Sequence, residues 1–94
     1  MTDLETVTFR LRRDAVCWRQ ESRGVLVYDI ERDVVYNGNS TALQVIERCD
    51  GRHTVGEIAD CLVARYGIPR SQALADVTGI IRQMVEWEII ERAV

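Results

Sequence analysis

The feature that most constrains this chain is a change of hydrophobic period at Asn39. Before it, apolar residues alternate or run in short blocks; after it they recur every three to four residues. Three strand candidates precede the change. Residues 15–20 put Val16 and Trp18 on one face and Cys17 and Arg19 on the other. Residues 25–30 are apolar at five of six positions, the pattern of a strand that is central or covered on both faces. Residues 34–37 form a short third strand. The intervening turns, Glu21-Ser22-Arg23-Gly24 and Glu31-Arg32-Asp33, are far too short for a parallel crossover, so the three read as an antiparallel meander.

Three helices follow. The first, at about 41–49, carries Ala42, Val45, Ile46 and Cys49 at helical spacing. Thr41 with Gln44, or Ser40 alone, can cap its start, and Asp50-Gly51 ends it. The second opens on Thr54-x-x-Glu57, a capping box, and continues as a stripe of Val55, Ile58, Ala59, Leu62, Val63 and Tyr66 up to Gly67. The third, at about 69–87, begins at Pro69, the only proline. Its apolar residues Ala73, Val77, Ile80, Met84 and Trp87, widened by Leu74, Ile81 and Val85, span an arc of roughly 160°, where a helix packed on one side needs about 100°. The helix is therefore contacted from two directions. Either a deep core wraps it, or one edge of the arc lines a groove.

The sum is an α+β fold: a three-stranded antiparallel meander followed by three helices, with Ile89-Ile90-Glu91 as a short terminal strand. Helices with a small sheet in this order resemble a winged helix-turn-helix. Residues 1–6 are polar and aperiodic and read as a loose arm. Val7, Phe9 and Leu11 alternate with Thr8 and Arg10 as a short extended segment. Residues 1–14 are accordingly set apart as an N-terminal arm, and 15–92 as the domain.

Much chemistry is absent. The chain of 94 residues has 15 acidic side chains against 12 cations, all Arg, for a net charge of −3. That balance opposes a phosphate-binding surface, which needs clustered cations. On the third helix Arg70 and Arg82 are offset by Asp76 and Glu86, so a winged-helix nucleic-acid-binding domain is the alternative function rather than the first. No apolar run approaches the ~18 residues of a membrane span. Met1-Thr2-Asp3-Leu4-Glu5 lacks the basic patch and apolar core of a signal peptide, so a cytoplasmic location is expected, with no membrane partner. Cys17, Cys49 and Cys61 are odd in number and form no Cys-x-x-Cys pair; they read as small buried hydrophobes. His53, the only histidine, falls in the turn Asp50-Gly51-Arg52-His53 and reads as a solvated loop residue. Gly38, Gly51, Gly56 and Gly67 are scattered and make no phosphate loop. Glu86 and Glu88 read as exposed. Asp76 flanks the apolar arc, where it can anchor a partner's polar group or pair with an arginine. Nothing assembles a nucleophile, a base and an oxyanion site, so no catalysis, cofactor or metal is expected.

The segments Tyr36-Asn37-Gly38-Asn39-Ser40-Thr41-Ala42, Asp50-Gly51-Arg52-His53-Thr54-Val55-Gly56-Glu57-Ile58-Ala59, Asp76-Val77 and Ile89-Ile90, in that order, resemble the PqqD-like family over about residues 15–92. These are small peptide-binding domains also called RiPP recognition elements (RiPP: ribosomally made, post-translationally modified peptide). The resemblance implies that the leader of a precursor peptide binds as an added β-strand on the third strand, at Val34, Val35, Tyr36 and Asn37. Ala73, Asp76, Val77, Ile80, Gln83 and Met84 of the third helix would supply the wall. It further implies no chemistry by the domain itself. A free-standing chaperone would present the leader to a modifying enzyme, either a radical S-adenosylmethionine enzyme or a leader peptidase. The third strand carries no proline or lysine to block pairing, and the same edge lets two copies pair as a homodimer. One departure concerns Gly38, where the family usually has a large apolar residue. Glycine weakens a strand and permits a bulge, which leaves open how far the third strand extends.

Overall fold

The computed structural model describes residues 4–93. A 3-10 turn at Leu4–Thr6 leads into β1 (Thr8–Leu11), β2 (Val16–Glu21), β3 (Gly24–Asp29) and β4 (Val34–Asn39). Then come α1 (Ser40–Glu47), β5 (Asp50–Thr54), α2 (Val55–Tyr66), α3 (Arg70–Glu86) and β6 (Ile90–Arg92). The expected meander is present as β2-β3-β4, antiparallel throughout, with β3 central. Val25, Val27 and Asp29 of β3 are buried toward the helices, while Leu26 and Tyr28 are half-buried on the other face.

A second antiparallel sheet, ordered β5-β1-β6, was not legible as such. The segment set apart as an arm supplies its central strand: Val7 and Phe9 are buried in the core, and β1 pairs with β5 on one side and β6 on the other. The first three positions of that arm lie outside the described residues. The stretch Asp50-Gly51-Arg52-His53, read as a turn, is strand β5. Its turn chemistry is nevertheless real. Asp50 Oδ1 accepts from the backbone N–H groups of Arg52 at 2.8 Å and His53 at 3.1 Å, and Gly51 takes a φ of +82° that favours glycine. A polar turn sequence pairs here because β1 offers it a partner, with a register irregularity between Thr8 and Arg10.

The helices follow their caps. Thr54 accepts from the Glu57 N–H, and the Glu57 carboxylate accepts from the Thr54 N–H, which completes the capping box at α2. Gly67 ends α2 at φ +65°. The cap of α1 is neither Thr41 nor Ser40 but Asn39, whose Oδ1 accepts from the Ala42 N–H at 2.9 Å. Asn is at least as good a cap as Ser or Thr, and the last residue of β4 is already extended at φ −79°, ψ −175°, as an N-cap must be. Of the cysteines, Cys49 is buried, Cys61 half-buried and Cys17 exposed. Cys17 departs from the expected burial because it sits on the outer face of β2, opposite Val16.

Gly38 does not shorten β4, which continues regularly through Asn39 opposite Gly24. A Cβ at Gly38 would stand 2.7 Å from the Ala42 Cβ and 3.0 Å from the Val25 Cγ1. The missing side chain therefore lets α1 settle directly on the strand. Gly38→Ala should destabilise the fold by about 1–3 kcal/mol, an overpacking penalty, and lower Tm by roughly 5 °C or more. Thermal unfolding followed by circular dichroism reads this; an unchanged Tm would show that α1 shifts away at no cost.

Candidate functional site

Sheet β2-β3-β4 ends at β4, whose outer edge has no strand partner among the described residues. The orientation of its peptide groups follows from one hydrogen bond. The Ile30 N–H donates to the Ala15 carbonyl at 2.8 Å. Backbone direction alternates along an antiparallel strand, so Leu26 and Tyr28 also address β2, whereas Val25, Val27 and Asp29 address β4. Their partners Gly38, Tyr36 and Val34 consequently spend their main-chain groups on β3. Val35 and Asn37 present their N–H and C=O groups at the open edge. The Gly38 carbonyl agrees with this assignment: a Cβ placed on Gly24, across the ladder, would run into its oxygen.

Beside this edge lies a cleft of about 230 Å³ between β4 and α3. Its floor is apolar: Val25 and Val27 from β3, Ala42 from α1, Ile80 and Met84 from α3, and Ile89 after it. Asn37, Asn39 and Gln83 complete the lining, and none of its lining residues is charged. One end is closed by Tyr36 and Trp87, stacked with ring centroids 4.3 Å apart and planes 14° from parallel, the offset geometry that aromatic pairs prefer.

The excess apolar arc of α3 is thus divided. Ala73, Val77, Ile81 and Met84 are buried in the core. Ile80, Gln83, Met84 and Trp87 face the cleft. The other edge of the arc ends in a half-open hollow where Ile81 and Val85 meet Leu4 and Phe9. Of the ten residues singled out in the sequence, Tyr36, Asn37, Ile80, Gln83 and Met84 are brought together around the cleft. Val34 and Val35 lie earlier on the same strand, 37% and 50% exposed. Ala73 and Val77 are 0% exposed and do not reach the cleft surface; they hold α3 to the core beneath it. Asp76 is exposed, one turn before Ile80 on the same stripe, and outside the cleft lining. Trp87 also lines the cleft, although the sequence showed it only as part of the arc. Its spacing of seven from Ile80 and four from Gln83 was the available signal.

Two titratable groups outside the cleft are shifted by their surroundings. Burial pushes the Cys49 thiol up to about 12, aided by the nearby Asp50 carboxylate, so it stays protonated near neutrality and is a poor nucleophile. Burial also pushes the Asp50 carboxyl up. The Arg52 N–H, the His53 ring at 2.9 Å and the His53 N–H outweigh it and hold the group down at about 2. His53 is thereby engaged in β5 rather than free in a loop. Among the described residues no group of three or more His, Cys, Asp or Glu side chains is placed to hold a metal ion, and no helix is long and apolar enough to cross a membrane.

A helix-strand-helix-helix-strand order with a second sheet, and an unpaired edge beside an apolar cleft, define a small winged-helix-like domain with one strand left open to pairing. The chain belongs to the PqqD family: residues 24–90 match the model of coenzyme PQQ synthesis protein D. It is 30% identical over 76 residues to the PqqA binding protein of Bradyrhizobium diazoefficiens, covering 72% of this chain and 74% of that one. Its fold is similar to that of lasso peptide synthetase B1 complexed with the leader peptide, with a TM-score of 0.78 and 23% identity over 88% of this chain and 96% of the other. TbiB1 in complex with the TbiA(beta) leader peptide gives a TM-score of 0.77 at 17% identity, over 87% and 94% of the two chains. The PqqD truncation of Methylobacterium extorquens PqqCD, a RiPP recognition element, gives 0.77 at 23% identity over 98% and 96%.

Proposed function

We propose that this chain binds the leader of a ribosomally made precursor peptide as an added strand on β4 and presents it to a modifying enzyme. The observation that carries the reading is the unpaired β4 edge, with Val35 and Asn37 facing outward, directly beside an apolar cleft walled by α3. Strand addition draws affinity from main-chain hydrogen bonds and specificity from pockets that take alternate side chains. The cleft is such a pocket. Relatives described as binding PqqA or a leader peptide support the same reading. The domain itself does no chemistry in this account. It raises the effective concentration of the peptide at a partner, which on family grounds is a radical S-adenosylmethionine enzyme or a leader peptidase, in the cytoplasm. Two copies pairing through β4 would compete with the peptide for one edge.

Nucleic-acid binding gains no support from α3. Arg70 is engaged by Glu5 at 2.6 Å and Asp60 at 2.8 Å, which leaves Arg82 opposite Asp76 and Glu86 on a reading helix that usually needs a basic excess.

The test is affinity capture from native lysate followed by mass spectrometry, with Val35→Pro as the matched control bait. A short precursor peptide should be retained by the parent protein and lost from the variant. Its N-terminal half alone should then bind in an anisotropy titration. Binding confined to the C-terminal half, or to nucleic acid, would refute the proposal.

A further inference from the structure

The closed end of the cleft is built by two aromatic rings from separate elements, Tyr36 on β4 and Trp87 at the end of α3. Stacking adds only modestly to the burial of such a pair and does not by itself fix the two elements relative to each other. The turn between β3 and β4 supplies the missing tie. Asp29, the last residue of β3, is only 1% exposed. Both its oxygens are taken by Arg32: the backbone N–H donates to Oδ1 at 3.0 Å and Nη1 to Oδ2 at 3.1 Å. The same guanidinium crosses to the end of α3, where Nη1 donates to the Trp87 carbonyl at 3.2 Å and Nη2 to Glu88 Oε2 at 2.6 Å. The last carbonyls of a helix have no partner within it, so Arg32 satisfies a group that would otherwise need water. Glu88 takes a left-handed φ of +59° and is gripped from the other side by Arg12, whose Nη1 donates to the Glu88 carbonyl at 3.0 Å. Among the described residues, Arg32 makes the only side-chain hydrogen bonds between the β3–β4 hairpin and the end of α3.

We propose that Arg32 is a positioning residue of the cleft: from the hairpin turn it pins the end of α3, holds Trp87 against Tyr36, and so fixes the closed end of the groove before any peptide arrives. Arg suits this role where Lys would not. A planar fork reaches a carboxylate, a carbonyl and a second carboxylate at once, and a point charge on a flexible stem does not. A groove fixed in advance spares the bound complex the cost of ordering it. That last consequence rests on the peptide reading; the positioning itself does not.

The experiment uses Trp18→Phe as background, which leaves Trp87 the sole tryptophan. Acrylamide quenching and emission wavelength are read without peptide. Arg32→Ala should make Trp87 more quenchable and shift its emission to the red. Glu88→Ala should do the same in part, although it leaves Asp29 neutralised. Arg70→Ala removes an ion-pair network tied to Glu5 and Asp60 and should change neither. The captured leader should then bind Arg32→Ala roughly five- to ten-fold more weakly, the loss of a preformed groove, and Arg70→Ala as well as the parent. Unchanged Trp87 quenching in folded Arg32→Ala overturns the proposal; altered quenching with unchanged affinity upholds the positioning and refutes the gain from a preformed groove. Altered quenching in a protein whose parent binds no peptide leaves the latch standing and removes the peptide reading instead. If Arg32→Ala fails to fold, Arg32→Lys and Glu88→Ala decide by the same two readouts.

Discussion

Val35→Pro should leave the domain folded and weaken leader binding by about ten-fold or more. One lost main-chain hydrogen bond is worth about 0.5–1.5 kcal/mol, and the pyrrolidine ring also stands where the incoming strand must lie. The fold survives because the Val35 N–H points out of the sheet, and proline is tolerated on an edge strand at such a position. Tyr36→Pro is the informative contrast. Its N–H faces Val27 across the ladder, so that variant should lose stability as well as binding. Isothermal titration and thermal unfolding of both variants separate the cases. If Tyr36→Pro stays folded and loses binding while Val35→Pro binds normally, the outward set of peptide groups has been assigned to the wrong residues. If both stay folded and bind normally, the peptide does not pair with β4.

Trp87→Ala should cost about 2 kcal/mol of binding, some thirty-fold in affinity, because a large aromatic at the closed end of an interface pocket is a typical hot spot. The Tyr36 ring loses its stacking partner in the same step. Trp87→Phe keeps a flat apolar wall and should recover most of the affinity. A loss equal in both variants would assign the effect to the indole N–H rather than to the wall. Thermal unfolding must accompany the titration, since Trp87 also packs against the core.

The period change at Asn39 made the meander and the three helices readable because each pattern was repeated several times before it was interrupted. The capping box at Thr54 and Glu57 was readable because both partners lie within one turn of chain. The second sheet escaped for the opposite reason. β1, β5 and β6 are short and pair between segments far apart in the sequence, as Leu11 with Ile90 and Arg10 with Asp50. Nothing local to Thr8 announces Thr54 as a neighbour. Tyr36 and Asn37 of β4 and the stripe Ile80, Gln83, Met84, to which the strand pattern and helical spacing point, do line the cleft. Ala73 and Val77 share that stripe but sit where α3 meets the core, and a wide arc cannot say which of its edges stays open. Trp87 needed a partner from another element to reveal its role, and Arg32 needed two.

Because β1 runs antiparallel to β6, the first strand begins where the last one ends. The Ala93 N–H donates to the Thr8 carbonyl at 3.0 Å, and Phe9 lies opposite Arg92. The start of β1, reached from the turn at Leu4–Thr6, and the end of β6 therefore share one corner of the second sheet, whereas the cleft opens on the first. A catalytic domain tethered through either end would work from one common pivot, and the linker's length and stiffness, not the order of the two domains along the gene, would set the local concentration of bound peptide at its active site.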